Sequence, residues 1–250
     1  TIGRGGNLYL TFDFPREVLE LSTEKGKGFR KIVRNSSDFE KYWAGKNGVS
    51  NAYMTVYGYR ATEAPNHKRV NLQTPIIRHF VLDFDPKDFT NPKRPNVALD
   101  VPMKQALLLH KHLLEQNVEH GVWFSGGGFH FWIPLRDTFT PSDGYSVARV
   151  KEGGRKLISR WHKKLNLSCN DPTVAFDTSG MIRIPNSYNS KRGCWSIPLD
   201  SHTILNLTHD EIMEKAQTPV SGYIELGEND VAITVADRKS PFKKTVEKVE

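Results

Sequence analysis

The distribution of apolar and polar residues predicts strands in several parts of the chain. The apolar run IIRHFVLDFD (76–85) predicts a buried strand, which ends at Pro86 and the proline-rich segment after it. AYMTVYGYR (52–60) is rich in aromatic and β-branched residues and predicts another strand. Two pairs of short strands are predicted as well, the first joined by glycines: HGVWFSGGGFHFWIPL (120–135), and MIRIPNS (181–187) with CWSIPL (194–199).

Helices are predicted where apolar residues recur at helical spacing or where capping signals occur. Asp100 and Pro102 open a helix that runs to about Val118, and a second helix spans about 154–165. Capping boxes at 37–40 and 208–211 predict two more helices. The apolar sides expected for the first three helices along the chain are Phe39, Tyr42 and Trp43; then Met103, Ala106, Leu107, His110 and Leu114; then Leu157, Ile158, Trp161 and Leu165.

Strands and helices in this mixed order predict an α/β or α+β fold. We expect residues 1–205 to form the core, and 206–250 to form a C-terminal helical extension with a charged tail. That tail, DRKSPFKKTVEKVE (237–250), is expected to fray or to continue into a longer polypeptide.

The composition is that of a folded protein with a basic surface. Of the 250 residues, 38% are hydrophobic and 10% aromatic, which is ample for a buried core. The net charge of +7 suits a polyanionic partner, although many basic proteins bind no nucleic acid. The chain has no apolar run of about 18 residues and its N-terminus lacks the layout of a secretory signal, so we expect no membrane contact and a cytoplasmic location.

The two cysteines, Cys169 and Cys194, lie far apart and form no CxxC pair. They are too few for a disulfide framework or a zinc finger. We therefore expect two buried thiols and no zinc.

A pair of carboxylates follows the clearest buried strand. Asp83 and Asp85 are separated by Phe84, and residues two apart on a strand point to the same face. Two adjacent oxygen ligands are what Mg²⁺ or Mn²⁺ prefers. The alternative interpretation is that the pair only caps a strand end before Pro86.

The glycine-rich segment Ser125-Gly126-Gly127-Gly128-Phe129-His130 predicts an anion-binding turn. Glycines allow backbone N–H groups to approach an anion, and the Ser125 hydroxyl adds a donor. His130 alternates with Phe129 and Phe131, so its ring is expected to face away from theirs. The alternative interpretation is an ordinary hairpin with a hydrogen-bonded histidine.

The segment DPTVAFDTSGMIRIPNSYNSKRG (171–193) combines carboxylates with basic residues. Arg183 alternates with Ile182 and Ile184, and a polar turn containing Asn189 and Lys191 follows. Arg and Lys bind the phosphates of transferred groups. An ordinary basic hairpin is the alternative interpretation.

Taken together, these three motifs supply what two-metal phosphoryl transfer needs, namely metal ligands, phosphate donors and positive charge. The residues of the motifs and their order along the chain, VLDFD, SGGGFH and D171…IRIPNSYNSK, resemble those of the archaeo-eukaryotic primase superfamily, which includes primase small subunits and plasmid-type primase–polymerases. The resemblance covers roughly residues 30–200. The fold it implies is an RRM-like antiparallel sheet that carries the acidic motifs and packs against a smaller α/β unit.

The resemblance also implies roles for individual residues. Asp83, Asp85 and Asp171 would be the catalytic metal ligands, with Asp177 as the rival for the third position. The nucleotide-binding residues would be Ser125, Gly126, Gly128, His130, Arg183, Asn189 and Lys191. The implied activity is transfer of nucleotides from NTP or dNTP to a primer 3′-hydroxyl on a DNA template, with Mg²⁺ or Mn²⁺ as cofactor and a helicase or another replication domain as a possible neighbour in a longer chain.

The second helix leaves a basic side that is expected to follow the template backbone, unless it is simply a solvated helix face; its residues are Arg155, Lys156, Arg160, Lys163 and Lys164. Two other function classes stay open. A non-catalytic nucleic-acid-binding module of a replication protein would usually have lost one acidic residue, and a metal-dependent nuclease or phosphoesterase would need no Arg/Lys triphosphate pocket.

Overall fold

The structure, a computed structural model, describes residues 12–21, 28–46, 50–63, 65–141 and 146–220. Within these ranges the chain is a mixed α+β protein whose strands pair antiparallel throughout, which confirms the predicted fold class. The strands are β1 (Arg16–Leu21), β2 (Gly28–Val33), β3 (Tyr53–Thr55), β4 (Gly58–Tyr59), β5 (Pro75–Phe84), β6 (Gly121–Phe124), β7 (Phe129–Phe139), β8 (Met181–Arg183), β9 (Tyr188–Asn189), β10 (Cys194–Trp195) and β11 (Ile197–Leu199).

The larger sheet has five strands in the order β11-β6-β7-β5-β4. Its centre is the long pair of β5 and β7, in which Asp83 lies opposite His130 and Phe84 opposite Phe129. Directly opposed residues share one face of a sheet, so Phe84 and Phe129 lie on one face and Asp83 and His130 on the other.

The smaller sheet has four strands in the order β2-β1-β3-β8, and β9 and β10 form a separate two-stranded ribbon. In the smaller sheet Met54 pairs with Val18 on one side and with Ile182 on the other. The chain between β3 and β4 joins the two sheets: His79 of the larger sheet contacts the Val56 carbonyl at 3.2 Å, and its ring lies 5.8 Å from that of Tyr57.

Five helices lie in the described ranges: α1 (Ser36–Lys46), α2 (Asp100–Glu115), α3 (Val147–Leu165), α4 (Ser201–Asn206) and α5 (His209–Lys215). Trp161 of α3 stacks on Phe80 with ring centroids 5.9 Å apart, so α3 covers the face of the larger sheet that carries Phe80 and Phe84. The opposite face, which carries Asp83 and His130, faces the smaller sheet and the cleft described below. None of the helices in the described ranges is both long and apolar enough to span a membrane.

Two predicted strand arrangements were wrong. The segment 52–60 is two strands in different sheets, because the chain bends at Val56 and Tyr57 between β3 and β4. The segments 181–187 and 194–199 do not pair along their length. Backbone hydrogen bonds join only Asn186 and Ser187 to Ser196, beside the β9–β10 ribbon, while β8 pairs with β3 and β11 with β6. Strands β8 and β11 find their partners far away along the chain, which a local pattern does not encode, whereas β9 and β10 form a local ribbon.

The predicted helices were found, with changes at their ends and on one apolar side. The α1 helix begins at Ser36 and is capped by Asn35, whose side-chain oxygen accepts from the Asp38 amide at 2.9 Å. The α2 helix ends at Glu115 and buries Leu109 and Leu113, whereas Leu114 is 45% exposed. Leucines occupy several sides of α2, so their spacing did not identify the buried side.

Two further helices show where local signals worked and where they did not. The α3 helix begins at Val147, earlier than predicted, with the Ser146 side chain accepting from the Arg149 amide. The α5 helix begins with the predicted capping box between Thr208 and Glu211. Both cysteines are buried free thiols, as expected.

The predicted C-terminal extension is described only in its first part. Ile212 and Ala216 of this part are buried, and the Trp195 amide donates to the Ala216 carbonyl at 2.7 Å. The boundary at residue 205 stays a prediction, and the charged tail lies outside the described residues.

Candidate active site

A cleft of about 640 Å³ lies at the polar face of the larger sheet, and it brings together most of the predicted site residues. Its wall is formed by the end of β5, the turn between β6 and β7, strand β8 and the loop after β9. The predicted residues that line it are Asp83, Asp85, Ser125, Gly128, His130, Arg183, Asn189 and Lys191.

The two predicted acidic ligands project together, as their spacing indicated. Asp83 and Asp85 both line the cleft, while Phe84 is fully buried and contacts Phe131 on the opposite face at 5.5 Å between ring centroids. The strand geometry therefore separates a packed position from two cleft positions.

The two candidates for a third carboxylate, Asp171 and Asp177, lie in different places, and neither is among the residues that line the cleft. The Asp171 amide donates to the Asp83 carbonyl at 2.8 Å, which attaches its segment to the end of β5. The Asp171 Oδ1 atom accepts from the Thr173 amide and hydroxyl at 2.8 and 2.6 Å. Asp177 lies elsewhere, 3.6 Å from the Lys151 ammonium of α3.

Electrostatic repulsion among the carboxylates affects their protonation. Burial, together with the charges of Asp85 and Asp171, raises the pKa of Asp83 well above its usual range. Burial and the Asp171 charge also raise the pKa of Asp85, against the opposing effect of the cations Lys87 and Lys191. Within the described ranges no three His, Cys, Asp or Glu side chains form a metal-binding cluster, so Asp171 as third ligand stays a prediction.

The glycine segment forms a tight turn at the cleft wall. The Ser125 amide donates to the Gly128 carbonyl at 2.9 Å. A Cβ on Gly128 would lie 2.0 Å from the Phe84 carbonyl oxygen, so no larger residue fits beside the end of β5. Gly126 lies behind the lining, next to the Cys194 sulfur. The turn is thus packed directly against the strand that carries the acidic pair.

His130 lies opposite Asp83 across the β5–β7 pair, with its Nε2 atom 3.4 Å from the Asp83 Oδ1 atom. Its side chain is nearly buried, and burial, with a smaller effect of Arg183, lowers its pKa to about 3. An imidazole with this pKa is neutral at physiological pH.

Arg183 places a buried positive charge in the cleft. Its Nη1 atom donates to the Asn51 side-chain oxygen at 2.8 Å, and its Nη2 atom donates to the Tyr53 hydroxyl at 2.8 Å. The guanidinium also lies over the Tyr53 ring, 4.9 Å from its centroid. Burial lowers the pKa of Arg183, but an arginine remains charged at neutral pH.

The loop after β9 contributes further positive charge. Asn189, predicted to bind the nucleotide, is used to hold this loop: its Nδ2 atom donates to the Ser125 carbonyl at 2.7 Å, and its Oδ1 atom accepts from the Lys191 amide at 3.2 Å. Lys191 and Arg192 are exposed at the cleft.

Several residues that line the cleft were assigned no site role from the sequence, among them Asn51, Tyr53, Lys87 and Arg192. Lys87 and Arg192 follow predicted motifs directly, so their proximity along the chain was a usable signal. Asn51 and Tyr53 lie more than a hundred residues before Arg183, and no local pattern connects them.

The basic side chains of α3 are not at the cleft. The residues Arg155, Lys156, Arg160, Lys163 and Lys164 are exposed on a helix that covers the opposite face of the larger sheet. Their predicted contact with nucleic acid stays a prediction.

Among solved structures, the chain is similar to the polymerase domain from Mycobacterium tuberculosis Ligase D in complex with DNA. The two are 14% identical in sequence, the match covers 80% of this chain and 69% of that chain, and the TM-score is 0.49. No protein-family model and no curated protein sequence matches the chain.

Proposed function

We propose that the chain is the catalytic domain of a DNA primase–polymerase, which transfers nucleotides from NTP or dNTP to a 3′-hydroxyl on a DNA template. The observation that carries the proposal is the cleft itself. A pair of carboxylates, a glycine turn and four basic side chains, Lys87, Arg183, Lys191 and Arg192, surround one volume of about 640 Å³.

The acidic pair fits a divalent cation. Asp83 and Asp85 have pKa values raised by burial and by neighbouring carboxylates, so the site concentrates negative charge that a cation would neutralise. Carboxylate oxygens are also the donors that Mg²⁺ and Mn²⁺ prefer. Asp83 and Asp85 would hold the cation, with Asp171 as the proposed third ligand. When bound, such cations lower the pKa of an attacking hydroxyl and stabilise the leaving pyrophosphate.

The basic side of the cleft would bind the triphosphate. Arg183 is held by Asn51 and Tyr53, so its charge is positioned before the nucleotide arrives. Lys191 and the Ser125 hydroxyl add donors from two neighbouring loops. His130, being neutral, would donate one hydrogen bond and hold Asp83 in place. These groups stabilise negative charge that develops on the phosphates.

The test is nucleotide incorporation on a primed DNA template with labelled dNTP or NTP and Mg²⁺ or Mn²⁺. We expect a metal-dependent ladder from the wild type and none from the Asp83→Ala/Asp85→Ala variant. Asp137→Asn is the matched control, because Asp137 is exposed and pairs with the adjacent Arg136. Extension retained in both Asp83→Ala and Asp85→Ala single variants would disprove their assignment as metal ligands.

Three additions sharpen this experiment. Asp171→Asn compared with Asp177→Asn asks which residue is the third ligand, and we expect only the first to lose extension. Omission of the primer asks whether the chain starts synthesis. A wild type that binds DNA without extending it would favour a binding module, and cleavage without pyrophosphate release would favour a nuclease.

A further inference from the structure

The side chain of Arg192 lies along the glycine turn of the cleft. A Cβ added to Gly127 would be 3.1 Å from both Nε and Nη2 of Arg192 and 3.4 Å from its Cζ. A side chain at position 127 would therefore be in tight contact with the guanidinium, which would have to shift by a few tenths of an ångström. This contact joins two segments that are 65 positions apart in the sequence, so it forms only in the folded chain.

The backbone of Arg192 is held in place by the residue that also holds the turn. Its amide donates to the Asn189 carbonyl at 3.1 Å and lies 3.3 Å from the Asn189 Oδ1 atom. The Asn189 Nδ2 atom in turn donates to the Ser125 carbonyl at 2.7 Å. One amide side chain thus sets the position of Arg192 relative to the glycine turn.

The donors of this arrangement are available to a ligand. In the part of the chain that the structure describes, no carboxylate lies within salt-bridge distance of the Arg192 guanidinium, although its charge acts on Asp85 across the cleft, and the amides of Gly126 and Gly127 donate to no other residue. A guanidinium beside unused backbone amides of a turn is an arrangement that binds phosphate oxygens. Both Arg192 and Gly127 line the cleft.

We propose that Arg192 and the backbone at Gly127 together bind one phosphate group of the incoming nucleotide, and that glycine at position 127 is what seats the guanidinium. The proposal rests on the proposed function, because that function supplies the triphosphate. It adds a phosphate contact to those of Arg183 and Lys191, and it assigns a specific role to the middle glycine of the turn.

The test is a double-mutant cycle of Gly127→Ala and Arg192→Ala, measured by calorimetric titration with inorganic triphosphate and with a deoxynucleoside triphosphate. We expect Arg192→Ala to weaken binding by about 10- to 100-fold, the usual loss for a charge-assisted hydrogen bond. Gly127→Ala should weaken binding when Arg192 is present and should have no effect when it is absent. Arg136→Ala, an exposed arginine paired with Asp137 near the other end of β7, is the control.

A variant that moves the arginine from position 192 to position 127 distinguishes a loss of phosphate binding from a loss of folding. In the Gly127→Arg/Arg192→Ala variant the new side chain has the space that Arg192 leaves, and we expect it to recover most of the lost affinity. If this variant unfolds at the wild-type urea midpoint but does not recover triphosphate affinity, the proposed role of the guanidinium charge is wrong. If the wild type binds triphosphate and Arg192→Ala binds equally well, this inference fails alone. If the wild type binds no triphosphate, the proposed function fails with it.

Discussion

Two carboxylates, the buried Glu17 and the partly buried Asp83, lie in opposite electrostatic surroundings. Glu17 is fully buried in β1 and is surrounded by donors. It accepts from Arg69 Nε and Nη2 at 2.5 and 3.1 Å, from the Val70 amide at 3.1 Å and from Arg30 Nη1 at 3.3 Å. Its charge is matched by two guanidinium groups and a backbone amide.

Asp83 lies next to other acids instead. Its side chain is 22% exposed, and its closest basic neighbour, His130 at 3.4 Å, is neutral because its pKa is lowered to about 3. The charges of Asp85 and Asp171 act against its ionisation. The Arg183 guanidinium in the same cleft donates to Asn51 and Tyr53.

The difference separates a structural charge from a functional one. A buried carboxylate with a full set of donors stabilises the arrangement of its partners, as Glu17 does between β1, β2 and the Arg69 segment. A buried carboxylate beside others raises the free energy of the empty site and is stabilised by a ligand that brings positive charge. Mutations at these two acidic sites are therefore expected to change the stability of the protein in opposite directions.

The largest expected effect is on stability at the Glu17 site. Arg69→Gln leaves the buried carboxylate with only Arg30 and the Val70 amide, so we expect the free energy of unfolding to fall by about 3 kcal/mol. Urea unfolding measures this, with Lys31→Gln on the exposed side of β2 as control. A loss no larger than in the control would show that Glu17 is stable without its closest partner.

The next effect is stabilisation of the cleft by a divalent cation. At a concentration about a hundredfold above its Kd, Mn²⁺ is expected to raise the free energy of unfolding by about 2.7 kcal/mol. The same titration should leave the Asp83→Asn/Asp85→Asn variant unchanged, because the carboxylate pair is missing. Equal stabilisation of both proteins would place the cation elsewhere.

The smallest effect is a gain in stability on removal of the Asp83 charge. The folded-state pKa of Asp83 is raised, so folding disfavours its ionised form. In the absence of divalent cations we expect Asp83→Asn to stabilise the protein at pH 8 by on the order of 1 kcal/mol.

The pH dependence of this gain provides the check. The gain should shrink as pH falls through the folded-state pKa and vanish below the unfolded value of about 3.9, where both states are protonated. Thermal unfolding at a series of pH values measures it. A gain that is constant with pH would indicate a packing effect rather than relief of repulsion.

Several features of the protein were determined by the sequence alone, because they depend on neighbours within a few residues. The common face of Asp83 and Asp85 follows from the alternation of a strand, and the apolar side of α3 follows from helical spacing. The capping box of α5 needs only Thr208 and Glu211. The glycine turn between β6 and β7 was likewise predicted from its own composition.

The remaining features were decided by contacts between distant parts of the chain. Strand β8 joins the smaller sheet through β3, and Arg183 is held by Asn51, 132 positions away. The side chain of Arg192 lies on Gly127, and Glu17 finds Arg69 across 52 positions. Short-range periodicity determines on which face of a strand or helix a side chain lies. The packing of the two sheets against each other determines which faces come into contact. Only the tertiary structure therefore decides which residues form the cleft.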